Sequence, residues 1–552
     1  MAVYGEVEHA ISEVVNLEYP VGPHATEFIV GEGEDVGGKN RRVFKELYDP
    51  TNTVHRQAMS TSPHFIVGRK GSGKTAFLLG SALSDDAEVA LLRSAAIYSE
   101  VDRLRLRYEK ENGPLVADNL AHVWEVLLYH AAMLQIARSD RLARSESRKR
   151  LWSYVSGFGD PRTLEYDGMF AKVGVALTAR LLDGPPGLAF QEACWSIEVD
   201  GTSFAEARQH VEPALGPKGP EAVYVVVDNL EDLHNHLDAY SPVITGLFRL
   251  VGRSGAHGAK GIPFRMQFAF PAELLDRLSV LAANAEKDFR DRQTIRWTAA
   301  ELIVIVGNRL RTFLDLYYPH APAELGLPRQ HDLGDRKAAE ATLRALLPEW
   351  VTGDLGVRED PVAYLLRHTQ LLPRQLIFML NNVMKSAAAN SSRALPVASP
   401  RDVVDGVANS EVEIVSGILS SYAYAFPKIG VALSMIKNHI ALIEPASRLH
   451  EVFNHASVKR AGLDFDEFID ACFAVGALGI VSKGQTERYT QGDFSYTYVR
   501  EIRPREDRDD VCVHPLFVSQ LFDRHVIEEM SRAQYVPIYP YGSHPDHVDF
   551  DV

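Results

Sequence analysis

Cysteine is scarce in this 552-residue chain: Cys194, Cys472 and Cys512 are the only three. They lie far apart and show no metal-ligand spacing, which excludes a disulfide framework and a cysteine zinc site and reads as buried thiols of a reducing cytoplasm. Positive charge is also in deficit, with 58 Lys and Arg against 73 Asp and Glu, a formal net charge of -15. That balance argues against non-specific coating of nucleic acid, while leaving room for one local basic face. No uninterrupted apolar run approaches the length needed to cross a bilayer. The start, Met1-Ala2-Val3-Tyr4-Gly5-Glu6, has neither a basic n-region nor an apolar h-region, so a cytoplasmic chain without a membrane partner is expected. Internal repeats are absent too. A hydrophobic fraction of 46% and a charged fraction of 24% exclude wholesale disorder, and the length suits about two to four domains.

What the chain does have is Gly68-Arg69-Lys70-Gly71-Ser72-Gly73-Lys74-Thr75-Ala76. A short β-branched and aromatic run, His64-Phe65-Ile66-Val67, precedes it, and the apolar run Phe77-Leu78-Leu79 follows. Gly-x4-Gly-Lys-Thr between a strand and a helix is the context that a phosphate-binding loop requires. Gly68, Gly71 and Gly73 permit backbone angles closed to other residues and let amide N–H groups approach phosphate oxygens. The helix beginning near Lys74 adds its positive end. Lys74 is expected to reach the β- and γ-phosphates, and the Thr75 hydroxyl to ligate Mg²⁺. Arg69 and Lys70 are further cations in the loop, with no derivable task of their own.

The second informative stretch is Ala222-Val223-Tyr224-Val225-Val226-Val227-Asp228. Six apolar residues ending in a carboxylate describe a strand buried on both faces with a Walker B acid, so Asp228 is expected to hold Mg²⁺ directly or through water. Thr75 and Asp228 are 153 residues apart, too far for one βαβ unit. At least one strand and a helical insertion must intervene. Ala87–Leu92, Phe264–Phe270 and Gln293–Trp297 are the further strand candidates. The expected fold is therefore α/β, a five-strand parallel P-loop NTPase sheet with a large helical insertion.

Five segments follow from composition and periodicity: a lead-in over 1–45; the P-loop core over 46–300, with its insertion at about 96–215; a helical lid over 301–395; a winged-helix-like domain over 400–530; and a flexible acidic tail over 531–552. Val123, Trp124, Val126, Leu127, Leu128, Ala131, Leu134 and Ile136 keep helical spacing and form a core stripe. Arg138, Arg141, Arg144, Arg148, Lys149 and Arg150 read first as a solvated helix face and second as a nucleic-acid or partner patch. Gly476–Val481 and Phe494–Val499 suggest a β-ribbon after helices, with Val511–Phe517 closing the fold. His514 reads as a capping or core histidine. His544, Asp546, His547 and Asp549 could bind a metal, but a terminal tail is the plainer account.

On these residues the chain resembles bacterial P-loop ATPases of the STAND and origin-recognition-like AAA+ group, which includes defence-associated members. The resemblance rests on Gly68 to Ala76, on Val227-Asp228-Asn229-Leu230-Glu231-Asp232, on Ile295-Arg296-Trp297 leading into a Leu-rich helix, and on Leu372-Pro373-Arg374. It implies ATP and Mg²⁺ as ligands, Glu231 as activator of the attacking water and Arg374 as a lid sensor touching nucleotide. AAA+ enzymes carry Glu where this chain has Asn229, which implies slow hydrolysis. Arg253 and Arg277 are candidate arginine fingers. The expected function is an ATP-dependent switch whose nucleotide state sets homo-oligomer assembly or engagement of a protein partner. The alternative is an initiator- or loader-like ATPase with its winged helix on duplex DNA. Arg500, Arg503, Arg505 and Arg508 are interleaved with Glu501, Glu506, Asp507, Asp509 and Asp510, which favours protein over DNA.

Overall fold

The computed structural model describes residues 2–22, 47–49, 52, 55–56, 63–184, 188–228, 237–256, 261–275, 280, 292–328, 332–390, 395, 397–482, 489–495, 504, 508–532 and 536–543. The chain forms two compact units, one of Met1–Asn52, Lys70–Gly73 and Arg296–Val552, the other of Thr53–Arg69 and Lys74–Ile295.

The second unit is built on a parallel sheet of β1 (Phe65–Gly68), β2 (Glu88–Arg93), β3 (Val223–Asp228), β4 (Arg265–Pro271) and β5 (Arg292–Thr294), in the order β2-β3-β4-β1-β5. All six residues of β3 and all four of β1 are buried, as a parallel strand covered on both faces requires. β5 is shorter than the sequence suggests and stops before Ile295, whose N–H still donates to Val67 O at 2.7 Å. Strand β2 lies between β1 and β3 in sequence, and β4 lies between them in space, so the loop after β1 and the acid ending β3 are two strands apart at the same edge.

Helix α1 (Lys74–Ser84) follows β1, and the insertion after β2 begins with α2 (Ser94–Asn112), α3 (Ala117–Arg138), α4 (Glu146–Ser156) and α5 (Tyr166–Leu182). Helix α3 is long and apolar enough to span a bilayer, yet 89% of its most apolar stretch is buried. It is the core of the insertion: Trp124 is fully buried and its indole donates to Val243 O at 2.9 Å, in α6 (Leu237–Ala256). Arginines of the basic run serve this packing. Arg138 lies over the Tyr166 ring and donates to its hydroxyl; Arg141 binds Asp86 O and Ala87 O; Arg148 closes the carbonyls of Ala137 and Leu142. These three are structural ties, while Arg144, Lys149 and Arg150 of the same run are exposed, as a solvated face requires.

In the first unit, α7 (Ala299–Tyr317) opens with a Thr298/Glu301 capping box and packs on α8 (Arg336–Leu346). Helices α9 (Pro361–Arg367), α10 (Pro373–Asn390) and α11 (Pro400–Ser421) follow. At Gly406 of α11 an added Cβ would meet the Val383 backbone of α10 at 2.7 Å, so this pair approaches closely because one residue lacks a side chain. The C-terminal part holds α12 (Ile429–Met435), α13 (Leu449–His455) and α14 (Phe465–Ala474). Its mixed sheet comprises β6 (Ile443–Pro445), β7 (Leu478–Val481), β8 (Thr490–Asp493), β9 (Asp510–Val513) and β10 (Ile538–Pro540), ordered β6-β9-β7-β8-β10. Two expectations change here. The partner of β7 is Thr490–Asp493 rather than the run starting at Phe494, with Ile480 opposite Asp493; residues 496–499 lie outside the described residues. Ile538–Pro540 is a buried strand paired in parallel with β8, so this part of 531–552 is not a flexible tail. His544, Asp546, His547 and Asp549 lie outside the described residues, and among the described residues no group of three or more His, Cys, Asp or Glu could hold a metal.

Candidate functional site

The phosphate-loop sequence folds as strand, loop and helix. Gly71 and Gly73 both take positive φ, +85° and +84°, which only glycine adopts without strain; Gly68 does not, and simply ends β1. A Cβ on Gly73 would project into open space, so glycine is there for its backbone angles. Arg69 and Ser72 are buried and Lys70 is exposed.

Within the second unit, Lys74 is buried, and its ammonium donates to Gly68 O at 3.0 Å and Arg69 O at 3.2 Å. The side chain thus curls back along the loop whose carbonyls it bonds. Thr75, in the first turn of α1, donates its hydroxyl to Oδ2 of the buried Asp228. The sheet order explains the pairing: α1 starts at the C-terminal end of β1 and reaches over β4 to the end of β3. A hydroxyl and a carboxylate, both hard oxygen donors, are a chemically suitable set for Mg²⁺. Ala76 is half-buried in the same turn. Asn229 and Glu231, the latter expected to activate the attacking water, lie outside the described residues. Of the arginine-finger candidates, Arg277 also lies outside them, and Arg253 is tied to Asp118 at 2.6 Å.

Within the first unit, the tip of the loop is held through its carbonyls. Trp297 Nε1 donates to Ser72 O at 2.7 Å, and the backbone N–H of Arg374 donates to Gly71 O at 3.3 Å. The Arg374 side chain lies over Gly71, where a Cβ would come within 2.9 Å of its Cβ. Arg374 is brought there by a sharp turn at Leu371, a non-glycine residue at φ +51°. Thr369 Oγ1 accepts the Leu371 N–H at 3.1 Å, and the Gln375 side chain accepts the Gln370 N–H at 2.7 Å. Two buried partners over-determine a strained angle. Gln370 then donates to Val475 O at 2.8 Å, just beyond α14.

The sequence put Lys74, Thr75 and Asp228 into one site, and the structure brings these three together. It missed the Trp297 bond to the loop; the available signal was a tryptophan placed just past a short strand that ends beside β1. His514 caps the turn after β9 by accepting the Leu516 N–H at 3.1 Å, fully buried against Phe494. No family model matches the chain, and no curated protein or solved structure matches it either.

Proposed function

We propose that the chain is an ATP-binding, slowly ATP-hydrolysing molecular switch of the STAND or AAA+ kind, acting in the cytoplasm, whose nucleotide state governs homo-oligomer assembly or engagement of a protein partner, with bacterial defence as the setting the resemblance suggests. One observation carries this reading: the Thr75 hydroxyl and the Asp228 carboxylate, 153 residues apart, meet in a hydrogen bond at the start of the helix that follows a Gly-rich loop. An arbitrary glycine turn has no reason to place its first helical hydroxyl on the carboxylate ending another buried strand. The strand order adds support, because a strand between the loop strand and the acidic strand favours nucleotide-switch and AAA+ type cores over simple kinases of small molecules.

In this reading Gly71, Ser72 and Gly73 present N–H groups to the phosphates, and Lys74 exchanges the carbonyls of Gly68 and Arg69 for phosphate oxygens, which are stronger, charged acceptors. Mg²⁺ bound through Thr75 and Asp228 would neutralise charge on the β- and γ-phosphates. Glu231 is the proposed water activator and Arg374 the proposed sensor. Residues 301–395 serve as the lid and 400–530 as a winged helix, supported by helices α12, α13 and α14 followed by the β7–β8 ribbon. The DNA-acting alternative is weaker, since α14, the recognition-helix equivalent, carries Asp466, Glu467 and Asp470 and no base.

The test is calorimetric titration with ATP, with and without Mg²⁺, of the wild type and of Lys74→Ala. Mg²⁺-dependent binding should be lost by about a hundredfold or more in a folded Lys74→Ala, from the loss of two charge-assisted bonds to phosphate. Equal affinity in the two proteins would remove the loop as the site.

A further inference from the structure

We propose that Trp297 is a positioning residue of the phosphate loop: its indole N–H fixes the carbonyl of Ser72 and thereby aims the N–H of Gly73 at a bound phosphate. The inference rests on the nucleotide reading above and adds to it a residue outside the loop.

A trans peptide is planar, so the C=O of one residue and the N–H of the next point in opposite directions. The Ser72 carbonyl and the Gly73 N–H belong to one such plane, and the Gly71 carbonyl and Ser72 N–H to the plane before it. Each plane has a glycine at one end, at φ +85° for Gly71 and +84° for Gly73. Glycine populates both signs of φ with little penalty, so neither plane is held by its own torsional preference. What holds them is external. Trp297 Nε1 sits 2.7 Å from Ser72 O, and the Arg374 N–H sits 3.3 Å from Gly71 O. Among the described residues, neither the Ser72 N–H nor the Gly73 N–H donates to a backbone carbonyl. The two carbonyls are occupied, and the two N–H groups on the opposite edges of the same planes are the ones a phosphate loop offers to its ligand.

The shorter bond is the one from Trp297. Donation by an N–H raises the acceptor strength of the carbonyl in the same peptide, so phosphate on Gly73 N–H and indole on Ser72 O strengthen each other. Without the indole, the Ser72–Gly73 plane is free to turn, and part of the binding energy of phosphate goes into restoring it. The effect falls on nucleotide affinity, not on the chemical step, because the plane is set before the bond to be broken is engaged.

The variant is Trp297→Phe, which keeps a ring in place and deletes the donor. ATP and ADP should both bind about fivefold to tenfold more weakly, as expected for one hydrogen bond. The turnover rate at saturating ATP should stay within about twofold, and the melting temperature without nucleotide should fall by no more than about 4 °C. A folded Trp297→Phe with wild-type affinities overturns the role of Trp297 and leaves the nucleotide reading intact, whereas a wild type that binds neither ATP nor ADP removes both. Should Trp297→Phe fail to fold, the five indole N–H resonances of the ¹⁵N-labelled wild type decide. One must move downfield when ATP is added, and five unmoved resonances overturn the proposal.

Discussion

Glu411 shows how much a single buried group can control. It is buried on α11, accepts the Ser519 hydroxyl at 2.7 Å and lies 3.8 Å from His368 Nε2. Burial pushes its pKa up to about 8, with Asp354 adding to the rise and Ser519 and Arg367 opposing it. Burial and the nearby Arg367 hold His368 well below the usual histidine range. The two therefore face each other as a neutral acid and a neutral ring at pH 7, not as an ion pair. The sign of the pH dependence follows. Between about 4.5 and 8 the folded chain keeps the Glu411 proton and the unfolded chain releases it, so the unfolded state binds fewer protons and stability falls as pH rises. His368 acts in the other direction below its unfolded pKa, where the unfolded chain gains a proton. Glu411→Gln isolates the first contribution, since the amide keeps an acceptor for Ser519 and cannot ionise. The variant should gain stability over the wild type on going from pH 5 to pH 8, by roughly 2–4 kcal/mol. Denaturant melts at the two pH values measure it, and parallel pH profiles for the two proteins would show that Glu411 is ionised when folded.

Strand β10 illustrates a contribution at the level of an element. Its Tyr539 hydroxyl donates to Glu359 Oε2 at 2.6 Å, and Arg367 meets the same carboxylate at 2.8 and 2.9 Å while lying over the Tyr364 and Tyr539 rings. All three partners are buried. A buried ion pair stands only when its remaining lone pairs are satisfied, and Tyr539 supplies that third bond. Tyr539→Phe should cost about 1–3 kcal/mol in a denaturant melt, the penalty of a buried acceptor left short of a donor. A loss no larger than that of an exposed substitution would mean that β10 is peripheral. This strand was not legible in the sequence. Pro537-Ile538-Tyr539-Pro540, close to an acidic end, matches the composition of a terminal tail, and only the distant Glu359 and Arg367 give its tyrosine a place. The opposite holds for β1 and β3. Their burial on both faces is local and is written as unbroken apolar runs, so both strands, the loop and the acid at Asp228 could be read directly. The lateral order of the strands, the Trp297 bond and the turn at Leu371 depend on partners far away in the chain, which periodicity does not report.

For the whole molecule, the question the sequence leaves most open is the class of partner, and charge is the quantity that bears on it. The chain carries a formal net charge of -15. The helix that a winged-helix protein would insert into the major groove uses its N-terminal residues to read base edges. In the winged-helix reading proposed above that end is Asp464, Phe465, Asp466 and Glu467, with Asp464 and Glu467 engaged in a capping box. The carboxylates stabilise the helix through its dipole, and the same carboxylates would face DNA phosphates. The mixed run from Arg500 to Asp510 offers no compensation in the described residues, where Arg508 is followed directly by Asp509 and Asp510. Each phosphate contact to a duplex needs a cation and adds about 0.9 to the salt slope of the binding constant. A protein lacking such contacts should show weak binding and a shallow slope. The 552-residue chain, titrated against a fluorescent duplex with ATP or ADP present, should therefore give no binding at concentrations up to about 10 µM at physiological salt, where even non-specific DNA binders have affinities of about 1–100 µM. Lowering the salt to about 50 mM should not bring it into the micromolar range. Micromolar affinity with a steep salt slope would locate a basic face, and would favour the initiator-like function over a switch that acts on protein.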